Sequence, residues 1–151
     1  MKSVSELNKQ KVRLFVEAVW NQGRLELIDE LVAPDFVVHV RGLDGTVLGS
    51  EGMRSIVSSW RSAHPGLYIK IEDQIAEDDR VALRWQATAT VRDAHLPSPT
   101  ERAAPCYVGI SVIRLLAGKQ VDAHTECRKL GPPSRLRGEW VPAPIFGHRP
   151  T

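Results

Sequence analysis

The chain has 151 residues, 42% of them hydrophobic and 25% charged, the balance of one soluble globular domain large enough to bury a core without staples. Its 20 basic and 18 acidic side chains leave a net charge of +2, too small by itself to point to nucleic acid. Two cysteines, Cys106 and Cys127, argue against a disulfide framework and fit a reducing compartment.

The opening segment, "MKSVSELNKQKVRLFVEAVW", is interrupted by charges throughout. It offers neither the apolar region of a signal peptide nor a membrane span, which predicts a cytoplasmic protein with no membrane partner. Residues 5–21 place Leu7, Val12, Phe15, Val16 and Val19 near helical spacing, with Ser5 as N-cap and Gly23 as the stop. A short helix, "RLELIDELV", then precedes Pro34, and "DFVVHV" reads as a strand. The glycine-rich "GLDGTVLGSEG" lacks the Lys-Ser/Thr ending of a phosphate loop and reads as a loop at a pocket mouth, its Asp44 a solvated turn residue. A third helix, "SEGMRSIVSSWRSAH", is expected to be capped by Ser50 and stopped before Pro65 and Gly66.

From there the period changes to two. "LYIKIEDQIAE", "RVALRWQATATVRD", "PCYVGISVIRLL" and "KQVDAHTECRK" read as strands. Asp78-Asp79 and Ala117-Gly118 supply turns, and "HLPSPTERAAP" a longer loop. Helices followed by antiparallel strands predict an α+β fold, a curved sheet wrapped on N-terminal helices as a cone with an internal pocket. The boundaries expected are 1–131 for the cone and 132–151 for a tail. Residues 128–151 hold five of the ten prolines, and Arg128, Lys129, Arg135, Arg137 and Arg149 stand there against Glu139 alone. Such a segment reads as an extended basic arm.

On the last strand His124, Glu126 and Arg128 fall two apart, so an imidazole, a carboxylate and a guanidinium share one face. Spacing leaves two readings open: an acid/base set aimed into the pocket, or a solvated ladder of charges. In the first, the flanking cations keep Glu126 ionised as a proton acceptor, and Arg128 stabilises a developing oxyanion. On the strand before, Arg84 and Gln86 share one face and Leu83 and Trp85 the other, so at most one pair lines the cavity.

The runs "FVEAVWNQGRLELIDELVAPDFVVHV", "GSEGMRSIVSSWRSAHPGLYIKIEDQIAEDDRVALRWQATAT" and "GISVIRLLAGKQVDAHTECRKLG" resemble SnoaL-like polyketide cyclases. These belong to the cone-shaped, nuclear-transport-factor-like superfamily, with ketosteroid isomerase and limonene epoxide hydrolase relatives. The resemblance covers roughly residues 8–131 and identifies fold better than reaction. It implies that the last strand lines the pocket, with an aromatic residue where His124 stands and an acid/base aspartate where Arg128 stands. A guanidinium stays protonated, so that role does not transfer to Arg128. It also implies an inward-pointing histidine at His39 and a homodimer formed through the convex sheet face.

The expected function is a cofactor-independent enzyme of secondary metabolism. It would use acid/base chemistry to cyclise, isomerise or open a hydrophobic carbonyl or epoxide substrate, with Glu126, His39, Arg128 and His124 catalytic. Trp60, Trp85, Tyr107 and Arg84 would contact substrate, the aromatics forming an apolar wall or simply core, while Trp20 is structural. His64, His95 and His148 are assigned no chemistry. No cofactor or metal is expected, the sequence having neither a nucleophile elbow nor a Cys/His metal pattern. The alternative is a non-catalytic ligand-binding or accessory protein of the same fold.

Overall fold

The computed structural model describes residues 1–40, 45–92 and 101–130. Helix α1 (Val4–Leu14) starts two residues earlier than the sequence reading has it. Ser3 is the N-cap, its hydroxyl accepting the Glu6 N–H at 3.1 Å, and Ser5 lies inside the helix. The helix widens into a π-helical segment, Phe15–Asn21, that turns Phe15, Val16, Ala18 and Val19 inward. Gly23, at φ 73°, ends it by donating its N–H to the Val19 carbonyl.

The end of this helix is tied down twice. Arg61 donates from Nη1 to the carbonyls of Trp20 and Asn21 at 2.7 and 2.9 Å, covering helix-end acceptors that would otherwise be orphaned. The Asn21 side chain pairs with both backbone groups of Ile69, accepting at 2.7 Å and donating at 2.9 Å, and so docks the helix on an edge strand of the sheet. A 3₁₀ turn (Leu25–Leu27) and α2 (Ile28–Leu31) lead into β1 (Val32–His39), which starts earlier than "DFVVHV" implies.

After the two-residue β2 (Thr46–Val47), α3 (Gly49–Ala63) begins before Ser50, with Leu48 at its N-cap position and no side-chain cap. The long strands follow: β3 (Tyr68–Glu77), β4 (Arg80–Arg92), β5 (Glu101–Leu116) and β6 (Lys119–Lys129). Residues 101–104, read from the sequence as loop, are thus strand. Asp78 (φ 52°), Ala117 (φ 51°) and Gly118 (φ 79°) make the left-handed turns.

Among the described residues six strands are ordered β2-β1-β6-β5-β4-β3, with β1 parallel to β6 and every other neighbouring pair antiparallel. The fold is therefore α+β, a mixed curved sheet whose concave side wraps the helices. Val12, Val19, Ile28, Leu31, Phe36 and Val57 form the core between them, each at most 2% exposed. No helix among the described residues is long and apolar enough to cross a membrane. Asp44, His95, His148 and the tail at 132–151 lie outside the described residues.

Candidate functional site

Between the helices and the concave sheet face lies a partly open cavity of about 150 Å³. The helical side supplies Phe15, Val16 and Trp20 from the π-helical segment and Met53, Ile56 and Trp60 from α3. The sheet supplies Phe36 and Val38 from β1, Leu83, Trp85 and Ala87 from β4, Ser111 and Ile113 from β5, and Gln120, Ala123, Thr125 and Cys127 from β6.

The inward members of β6 after Gln120 are thus Ala123, Thr125 and Cys127. By strand alternation His124, Glu126 and Arg128 stand on the convex face, where all three are exposed. The expectation that they point into the concavity is corrected, and the solvated ladder is the reading the geometry supports. The physical reason is desolvation: burying a carboxylate, a guanidinium and an imidazole in a cavity walled by aliphatic and aromatic groups costs far more than burying the uncharged set.

His39 pairs across the sheet with His124, also on the convex face, and the two rings stack at 4.1 Å with an interplanar angle of 3°. Arg84 is exposed on that face too, because Leu83 and Trp85 take the inward positions of β4. Trp60 and Trp85 line the cavity. Tyr107 is buried beside Trp60, ring centroids 4.8 Å apart, and supports that indole rather than lining the cavity itself. Trp20, assigned a purely structural place by sequence reasoning, reaches the cavity and meets Trp60 edge to face at 6.5 Å.

The polar groups of the wall were missed by sequence reasoning. Trp85 Nε1 donates to Ser111 Oγ at 3.1 Å, and Ser111 Oγ lies 2.9 Å from Thr125 Oγ1 across the β5–β6 pair. This chain of neutral hydrogen bonds holds the indole flat over Gly109. A β-carbon at Gly109 would lie 2.4 Å from Trp85 Cζ2 and 2.7 Å from Cys127 Cβ, so only glycine lets the ring approach. The signal available in the sequence was an isolated glycine in mid-strand, "YVGIS".

Cys127 is the one titratable residue in the described lining. Burial, aided by the negative charge of Glu126, pushes its thiol from 9.0 up to about 12, so it stays protonated and is neither nucleophile nor base near neutrality. Burial also raises Cys106 and Tyr107. A folded-state pKa above the unfolded one means the associated stability is fully present below pH 9.0 and is lost as pH rises towards about 12. The urea midpoint should therefore fall as pH rises from about 9 towards about 12, and fall less in Cys127→Ala. An identical drop in that variant would mean that the thiol plays no part.

The model of SnoaL-like polyketide cyclases matches residues 10–129. The chain belongs to this family. Among solved structures, the SnoaL-like chain is similar to a candidate polyketide cyclase from Acidithiobacillus ferrooxidans, at 23% identity and TM-score 0.68 over 83% of this chain and 91% of that one. It is likewise similar to IdmH, a candidate polyketide cyclase from Streptomyces antibioticus, at 26% identity and TM-score 0.65 over 80% and 91%. AclR from Streptomyces galilaeus, described as a candidate hydroxylase, matches at 26% identity and TM-score 0.62 over 80% and 88%. No curated protein matches. Cyclase and hydroxylase on one cone leave the reaction to be argued from this chain's own cavity.

Proposed function

We propose that this SnoaL-like chain is a small-molecule enzyme that seats an uncharged, hydrophobic ligand in the cavity and acts by holding it in a reactive shape. The supporting observation is the wall itself. It is aromatic and aliphatic, its polar atoms are neutral, and its one titratable group among the described residues is a thiol kept protonated. Positioning a flexible substrate so that its reacting ends meet removes several kcal/mol of entropic barrier without a proton-transfer residue. A cyclisation is the family reaction that gains most from this. The same wall favours a second reading, a binding protein that holds its ligand without converting it.

Three tryptophans in the lining give a direct readout, since an occupant changes their fluorescence. Toluene should bind and benzoate should not, because the described wall offers a carboxylate no cation. Ala123→Leu, which fills the cavity, should weaken toluene by more than about tenfold, whereas Glu126→Gln on the convex face should stay within about twofold. Tight benzoate binding, or a loss on Glu126→Gln as large as that on Ala123→Leu, would return the site to the charged trio. Once a substrate is in hand, turnover that is flat across roughly pH 5 to 8 supports shape-directed catalysis, and a bell-shaped profile refutes it. Binding without product supports the second reading.

The proposal includes a homodimer through the convex face, where Tyr68, Ile110 and Val112 are exposed. Sedimentation equilibrium showing only monomer at micromolar concentration would remove it.

A further inference from the structure

Gln120 is the anomaly in the cavity wall. It is 2% exposed and belongs to the cavity lining, and among the described residues its buried Nε2 has no hydrogen-bond partner. A buried amide N–H left unmade is costly, and folded proteins seldom tolerate one without a use or an occupant. Its position explains why the chain cannot satisfy it. Gln120 sits near the start of β6, opposite Val32 of β1 and Leu115 of β5, so its neighbours across the sheet are hydrocarbon. The other polar groups of the β6 wall, Thr125 and Cys127, lie five or more residues further along the strand, roughly 16 Å at about 3.3 Å per residue.

From this we infer that Gln120 Nε2 is the donor that recognises a carbonyl-type oxygen on the ligand, and that the cavity selects an uncharged, single-ring aromatic or alicyclic ketone over its hydrocarbon equivalent. Volume sets the ring: about 150 Å³ is the size of protein cavity that takes up benzene. The unmade bond sets the oxygen, because a ligand acceptor placed there satisfies a donor that a hydrocarbon leaves stranded. Neutrality follows from the donor type. A primary amide offers one or two hydrogens and no charge, enough for a ketone and insufficient for a buried carboxylate.

The inference rests on the cavity-binding reading above, and the test separates the two. Acetophenone and α-methylstyrene have nearly the same shape and differ in C=O against C=CH₂. Their dissociation constants are measured by tryptophan fluorescence and calorimetry on the full chain and on Gln120→Met, which keeps an unbranched side chain of similar length without the donor. The wild type should prefer acetophenone by about tenfold, the worth of one hydrogen bond, and Gln120→Met should bring the two within about threefold while still binding α-methylstyrene. Retained α-methylstyrene binding also shows that the variant is folded.

Equal binding of the two probes in the wild type overturns the assignment, leaves the apolar-ligand reading standing, and hands the amide to a water molecule. A preference that survives in Gln120→Met overturns it in favour of another donor, Thr125 being the first to substitute. Failure of both probes to bind the wild type overturns this inference together with the cavity-binding reading.

Discussion

Phe36→Ala should destabilise the protein by about 3–5 kcal/mol, a large share of the roughly 5–15 kcal/mol that holds a domain of this size together. The ring is 1% exposed, belongs to the main core and reaches the cavity wall, so its removal costs transfer free energy and enlarges a space that is already there. The surroundings cannot close over it easily, because β1 is pinned between β6 and β2 and the Phe36 carbonyl accepts the Leu48 N–H at 2.8 Å where α3 begins. Urea unfolding at fixed pH measures it. The midpoint should fall sharply at unchanged slope, and Phe36→Leu should recover more than half of the loss. A cost below about 1 kcal/mol would mean that the helices collapse onto the sheet when the ring is gone and that the cavity is not rigidly framed.

Gly109→Ala is the smallest change with an expected large effect on both stability and binding. The added methyl would stand 2.4 Å from the Trp85 ring and 2.7 Å from Cys127 Cβ, and neither is the far end of a flexible side chain. Either the indole tilts into the cavity and loses its bond to Ser111, or β5 and β6 separate locally. Overpacking of about 1–3 kcal/mol plus a lost hydrogen bond of about 1 kcal/mol gives a total near 2–4 kcal/mol. Affinity for apolar probes should drop by more than about tenfold as the indole fills the space. Thermal unfolding and tryptophan fluorescence report the two effects on one sample. A variant that melts like the wild type and binds toluene equally well would show that the indole has room to move and that glycine is not required for its seat.

Much of the architecture was legible in the chain. The change from helical to alternating spacing near residue 67, the stop at Gly23 and the turns at Asp78-Asp79 and Ala117-Gly118 all have local causes and all appear where expected. Where the reading slipped by a few residues, the reason was also local. Ser3 and Ser5 are both competent caps, and α1 starts at the earlier one because its hydroxyl meets Glu6 N–H. The strand character of residues 101–104 was hidden because it comes from pairing with the far half of β4, a long-range partner that composition does not announce.

The strand β6 was legible in the sequence, but its inward face was misassigned. Alternation on β6 sorts the strand into His124, Glu126, Arg128 and Ala123, Thr125, Cys127, and it sorts β4 into Arg84, Gln86 and Leu83, Trp85. That division follows from the covalent geometry of an extended chain, so the sequence alone settles it, as it settles the order of helices and strands. Which half faces inward depends on where the helices lie, and that is a property of the packed molecule. With Phe15, Trp20, Met53 and Trp60 closing one side, the inner face is a low-dielectric space in which uncharged residues are stabilised and the charged trio is not. The same packing seats Trp85 over Gly109 and leaves Gln120 facing hydrocarbon, because both relations join residues on different strands, and only the assembled sheet brings those strands together.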